Sequence, residues 1–277
     1  MKTIKTILIL CVALCFATSC KKEADMTLVQ KTILENADIR QIEVSDAWEV
    51  TVVADSNTYV ELEYSAYLEN SLKTKMEGTK LGIGFSGYVY HEINFVFRAT
   101  VHTPQIEIVE ADDAAQVQCK GEFAGQHIKI ALNDASRCNG LAFSGESCEI
   151  ALESASVMTG FQFVGNSCSA VLKDASQCNS EIAASESIQI HLGDGSRFVN
   201  KGGTTEQANI HLDSASLLNI VETEVITMEV ELTGSSEAAV RVAEMLRGTL
   251  KEASALYYKG HPQTDIDCSE DSQLIPF

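Results

Sequence analysis

The chain has 277 residues, with 39 acidic against 20 basic side chains for a formal charge of −19, 45% hydrophobic residues and only three prolines. Such a surface repels phosphate backbones and anionic head groups, which excludes nucleic acid as a partner and a basic membrane-binding face. The scarcity of proline and the lack of a Gly-Ser linker favour one continuous body over independent domains.

Residues 1–19 open with Met1-Lys2-Thr3-Ile4-Lys5, run apolar from Ile7 to Ala17 and end in Thr18-Ser19. Positive charge, a short apolar stretch and small residues before a cleavage point predict a secretory signal, too short to be a transmembrane helix. Cys20 directly after it is the arrangement of a bacterial lipoprotein, although Ala17 stands where leucine is commonest. Cys20 is the expected lipid attachment and first mature residue, and the lipid bilayer is reached through it. The expected address is an exported lipoprotein of the outer membrane of a Gram-negative bacterium, facing the periplasm or the outside. Residues 20–37 read as a tether, charged from Lys21 to Asp25.

Residues 38–118 alternate apolar and polar in several stretches: Ile42-Glu43-Val44, Trp48 to Val52, Val60 to Tyr64, Leu81 to Phe85 and Ile93 to Phe97. Alternation predicts strands, with a short helix or turn at Tyr67 to Leu72. There is no clear period, so this part reads as a β-rich cap or as irregular larger coils. Near Ile106-Glu107-Ile108 and Asp112 to Ala115 a degenerate copy of the following repeat begins.

Residues 119–262 are periodic. Leu132, Leu152, Leu172, Leu192, Leu212, Leu232 and Leu250 are each followed four residues later by a serine, Ser136 to Ser254, and five of the six steps are twenty residues. A copy this short cannot bury an apolar face alone, so copies must stack on a shared core. Ile128-Ile130-Leu132 and Ile188-Ile190-Leu192 face inward, while Lys129, Glu149, Gln189, Asn209 and Glu229 face out. Asn133-Asp134-Ala135-Ser136 and its equivalents form a corner in which Asp and Ser suit hydrogen bonding to nearby backbone. Cys138, Met158, Cys178, Phe198, Leu218, Ala238 and Leu256 then return inward, followed by Phe143, Phe163 and Ala183. The fold class is all-β, a right-handed parallel β-helix with coils of about 20 residues. It is preferred to a leucine-rich repeat, which needs several leucines and a buried Asn per copy. Residues 263–277 read as the C-terminal cap.

Six cysteines lie beyond Cys20: Cys119, Cys138, Cys148, Cys168, Cys178 and Cys268. No Cys-x-x-Cys or Cys-His spacing suggests zinc, and buried unpaired thiols are favoured over disulfides because parallel neighbours offer poor bridging geometry. Asp134, Asp174 and Asp194 would line up at the corner as a carboxylate ladder for Ca²⁺, but Ser154 and Ser214 interrupt it and turn capping explains them better. His191 and His211 point outward on adjacent coils, and no third ligand has repeat spacing, so no metal site is assigned. Tyr88, Tyr90, Tyr257 and Tyr258 suit either sugar stacking or cap packing. The serine ladder has no partnered base, and no catalytic or cofactor-binding residue is assigned.

The order of these pieces resembles the head GIN domain family of putative auto-transporter adhesins. The residues that carry it are Val44-Ser45-Asp46-Ala47-Trp48-Glu49-Val50-Thr51-Val52, Leu81-Gly82-Ile83, Thr103-Pro104 with Ile106, the twenty-residue turns and Tyr258-Lys259-Gly260-His261-Pro262. The resemblance spans about residues 38 to 275 and implies a β-helical cell-envelope domain with no catalytic residues to transfer. Where the family has Gly-Ser-Gly at its turns, this chain mostly has Asp-Ala-Ser or Ser-Ala-Ser. The expected function is a lipid-anchored, non-enzymatic binding module for glycan or protein. The alternatives are a carbohydrate-active enzyme, which needs a groove with two acids and a basic residue close together, and a purely structural envelope protein.

Overall fold

A computed structural model describes residues 25–87 and 95–277, whose regular secondary structure is almost entirely strand. The expected signal peptide, Cys20, the charged tether up to Ala24, Tyr88, Tyr90 and the start of the expected strand at Ile93 and Asn94 lie outside the described residues. The alternating segments stack in parallel and in register. Leu132 pairs with Leu152, Leu152 with Leu172, Leu172 with Leu192, Leu192 with Leu212, Leu212 with Leu232 and Leu232 with Leu250. The result is a parallel β-solenoid of about 8 turns. Its inward side chains form one apolar core from Ile39 to Leu256, and each fully buried leucine contributes about 1.5–3 kcal/mol.

A coil has three strand segments. Val157–Leu172 pairs with Gln177–Leu192 through residues 157–159, 161–165 and 167–172, with register shifts between Thr159 and Phe161 and between Gly165 and Ser167. The shift places Phe163 beside Ile182 rather than Ala183. Ile182 and Ala184 are the buried residues there, and Ala183, expected inward, is only partly covered.

The corner after each leucine is a tight backbone turn. The Ser136 N–H donates to Asn133 O at 3.1 Å and the Ser176 N–H to Lys173 O at 3.2 Å. Both central residues are left-handed, with φ of 47° and 61° at Asp134 and Ala135, and 53° and 60° at Asp174 and Ala175, as in a type I′ turn. Aspartate and asparagine tolerate this region better than other residues with a side chain. The aspartates therefore occupy these corners for backbone reasons, and their carboxylates are exposed. Two of the buried serines cap by the side chain across coils, Ser136 Oγ donating to Ala111 O at 2.9 Å and Ser254 Oγ to Leu232 O at 3.1 Å. Ser236 Oγ donates to Thr233 O of its own corner, whereas the buried hydroxyls of Ser156, Ser176, Ser196 and Ser216 have no hydrogen-bond partner.

The N-terminal part is solenoid too, but stacked out of chain order. Gln41–Val44 lies between Lys80–Phe85 and Ile108–Ala111, parallel to both. Glu49–Ala54 lies in the same way between Phe97–Thr103 and Gln116–Lys120. Antiparallel strands finish this end: Leu28–Ile33 pairs with Tyr59–Ser65, which pairs with Phe97–Thr103, while Leu72–Glu77 pairs with Lys80–Phe85. Residues 28–33, counted with the tether in sequence, are thus a strand of the cap. Ala66–Ser71 forms a 3₁₀ turn. At the other end Gln263–Cys268 and Gln273–Pro276 add one more parallel coil, with Cys268 beside Leu250.

One coil closes differently. Around Lys201-Gly202-Gly203 strand pairing lapses, and the buried side chain of Asn200 takes its place. Its Oδ1 accepts from the Ile182 N–H at 2.6 Å, and its Nδ2 donates to Ile182 O at 3.0 Å and Thr223 Oγ1 at 2.9 Å.

Candidate functional site

Period-2 alternation places two columns of side chains on the outside of the strands that end in the repeat leucines. One column runs Ser169, Gln189, Asn209, Glu229, and the other Val171, His191, His211, Glu231, each residue paired with the next. A groove of about 780 Å³ follows them and ends at Gly248, Thr249 and Lys251. Because backbone hydrogen bonds hold the columns, the exposed groups are set at the strand spacing of about 4.8 Å.

Within the groove Glu229 Oε2 meets Arg247 Nη2 at 2.9 Å, and Glu231 Oε2 lies 3.2 Å from His211 Nδ1. The Asp213 carboxylate enters from the following corner, with Oδ2 at 3.6 Å from His191 Nε2 and 3.8 Å from His211 Nε2. The two imidazoles are tilted by 52° with centroids 4.5 Å apart, unlike the flat ladder of Phe143 and Phe163 at 9°. The carboxylate folds back over Gly193, where an added Cβ would stand 3.2 Å from Asp213 Oδ1. Asn133, Glu153, Lys173 and Thr233 occupy the same position on other coils, so the one coil without a side chain there is the one the carboxylate leans across.

His191 and His211 thus face outward on adjacent coils as their spacing predicts, and the structure adds Asp213 and Glu231 to them. Asp213 was not apparent from repeat spacing because it is no repeat partner of either histidine. The available signal was local: Asp213 follows His211 by two residues and so shares its outward side. His191, His211 and Asp213 together offer three donor atoms that approach to within metal-ligand reach of one another.

The other sequence candidates disperse. Asp134 stands near Asp112 and Asp113 in an exposed acidic group, where burial and then neighbouring Asp112, Asp46 and Asp134 raise the carboxyl of Asp113. Asp174 and Asp194 sit apart from that group as exposed corner residues. Tyr258 packs against the core and Tyr257 borders a shallow hollow with Arg197, Leu217 and Asn219. Cys148 and Cys168 stand side by side on adjacent coils as free, buried thiols, Cys119, Cys138 and Cys178 are also free and buried, and Cys268 is exposed.

Comparison with known proteins agrees with this architecture. The chain is similar to a "putative adhesin" from Parabacteroides merdae, with 14% identity over 91% of this chain and 96% of that one, at a TM-score of 0.67. It is also similar to a "putative adhesin" from Parabacteroides distasonis, with 15% identity over 92% and 98% at a TM-score of 0.59. A "putative lipid binding protein" from the same species gives 12% identity over 92% and 98% at a TM-score of 0.63. At these identities the likeness concerns the fold. Among curated proteins none matches the chain. The family model for "putative auto-transporter adhesin, head GIN domain" matches residues 38–262, most of the chain, and points to the cell envelope or surface. The chain belongs to the head GIN domain family of putative auto-transporter adhesins.

Proposed function

We propose that this protein is a lipid-anchored adhesin of the cell envelope, and that its outward groove holds a glycan or protein ligand while Cys20 holds the bilayer. The observation that supports ligand binding most directly is the groove of about 780 Å³, lined by Ser169, Gln189, Asn209 and the two histidines on hydrogen-bonded strands. Hydroxyl, amide and imidazole groups repeated at strand spacing suit an extended polymer with repeating polar groups, and rigid backbone lowers the ordering cost of binding.

A second reading, a carbohydrate-active enzyme, draws on Glu229, Glu231 and Lys251 in the same groove, since glycoside cleavage uses paired carboxylates. Both acids already have partners, Glu229 with Arg247 and Glu231 with His211, which favours binding over cleavage.

A glycan-array and host-matrix screen with protein from residue 21 onward, scored for sugar cleavage in the same wells, separates the two. Under the adhesin reading a ligand is bound uncut, and Gln189→Arg with Asn209→Arg weakens it at least tenfold while melting stays unchanged. Cleavage that disappears in Glu231→Gln would install the enzyme reading. Binding indifferent to both arginines would remove the groove from the proposal.

A further inference from the structure

We propose that His191, His211 and Asp213 form a binding site for a first-row divalent metal ion of the zinc class. The argument begins with distances. Asp213 Oδ2 is 3.6 Å from His191 Nε2 and 3.8 Å from His211 Nε2, too far for a hydrogen bond to either ring. Two donors each about 2.1 Å from one ion at a tetrahedral angle stand about 3.4 Å apart. Both carboxylate–imidazole separations are therefore those of ligands around an ion rather than of hydrogen-bond partners, and all three donors lie within 4.8 Å of one another.

Three further features prepare the set. Glu231 Oε2 lies 3.2 Å from His211 Nδ1, and a carboxylate there accepts from Nδ1–H, which leaves the Nε2 lone pair facing Asp213. This carboxylate–histidine pairing is the usual device for orienting a metal-binding imidazole. The 52° tilt between the rings brings both Nε2 atoms toward the one carboxylate oxygen. The missing side chain at Gly193 makes the room in which the Asp213 carboxylate turns back to the coil of His191. The donors also sit on adjacent coils in continuous register, His191 beside His211 beside Glu231, so little backbone movement is needed to close on an ion.

Two imidazoles and one carboxylate suit zinc, nickel, copper or ferrous iron and disfavour calcium and magnesium, which take oxygen ligands. Three protein ligands leave at least one coordination position free, as in sites that are not purely structural. His191, His211 and Asp213 side chains retain 43%, 39% and 34% of their exposure, so that position is open to the groove. The metal site goes beyond the adhesin reading and does not depend on the groove holding a glycan.

The test uses the full chain without a histidine tag, purified in detergent and stripped of metal, titrated calorimetrically with zinc chloride and with calcium and magnesium chloride as contrasts. One saturable zinc site is expected, with no comparable calcium or magnesium site. His191→Ala, His211→Ala and Asp213→Ala abolish it, while Glu231→Gln weakens it by about tenfold. Gly193→Val keeps every donor and displaces only the carboxylate, and it weakens zinc binding without altering the fold by circular dichroism. A cobalt titration read by its visible absorption reports the same site independently of heat. Absence of saturable zinc binding, or zinc binding that is equal in wild type and the three alanine variants, overturns the proposal.

Discussion

Cys178 lies wholly inside the core, and burial pushes its thiol far above the ordinary cysteine range. Burial does the same at Cys148, and at Cys119 the hydrogen-bonding contact with Cys138 leads, with burial added. A thiol held protonated and away from solvent does not attack an electrophile. Native protein treated with Ellman's reagent should therefore show one fast thiol among residues 25–277, the exposed Cys268, and Cys268→Ser should remove it. Fast release from two or more sites would mean that the coils open locally. The cysteine pattern in the sequence was enough to place these sulfurs inside, because Cys138, Cys148, Cys168 and Cys178 all fall on inward repeat positions. The corner aspartates were harder to interpret: a side chain that tolerates positive φ and one that caps a backbone group look alike in sequence. Ala175 shows which applies, since it shares the left-handed turn at φ 60° and has no polar group to offer. Trp48 illustrates the opposite difficulty. It occupies the serine position four residues after Val44, yet packs its indole against Phe85 at 5.6 Å and Phe97 at 5.8 Å, a substitution no periodicity announces.

Elements in a solenoid are stabilised chiefly by their two neighbours, so the cost of a truncation depends on where in the stack it falls. Leu172 is fully buried between Leu152 and Leu192, and Leu172→Ala should cost about 2–5 kcal/mol through lost burial and a cavity. Cys268 holds the same register in the last coil but is exposed, and Cys268→Ala should stay within about 0.5 kcal/mol. Chemical denaturation of the two variants checks the difference, and equal losses would contradict the nearest-neighbour account. The strands 119–262 were legible because each repeats its inward pattern at a constant interval. In 38–118 the strands Gln41–Val44, Glu49–Ala54, Tyr59–Ser65 and Lys80–Phe85 were legible singly but not in their order. The alternation from Ile93 to Phe97 missed the strand that starts at Phe97 and runs to Thr103, and Leu72–Glu77 was not legible. Val44 and Ala111 are partners on adjacent coils although 67 residues separate them, because the chain first descends to lay Lys80–Phe85 and Phe97–Thr103 beneath its own first coil. An interval that long carries no period, so the coil at 41–54 is disguised as a cap. Asn200 was illegible for a related reason: its importance comes from a gap in strand pairing, and a gap leaves no pattern of its own.

For the whole molecule the two ends decide whether a stack of parallel strands remains a single particle. Every coil offers its neighbour a row of N–H and C=O groups, so an uncovered terminal coil is a template for another chain. The N-terminal end meets this with antiparallel strands, and its outermost strand Leu28–Ile33 carries Lys31 and exposes most of its length. The C-terminal end has only the coil 263–277, short and rich in acid: Asp265, Asp267, Glu270 and Asp271. Beneath it Leu246, Leu250 and Leu256 are completely buried, and Glu237–Leu250 gives up its edge to Gln263–Cys268. Ending the chain at residue 262 therefore bares an apolar floor and an open strand edge together, while removing four of the charges that keep copies apart. The truncated protein should self-associate at micromolar concentration where the full chain does not, as read by size-exclusion chromatography with light scattering, and Leu246→Lys in the truncated chain should reduce that association. A truncated chain that stays monomeric and melts like the parent would show that the last coil is an appendage rather than the closure of the stack.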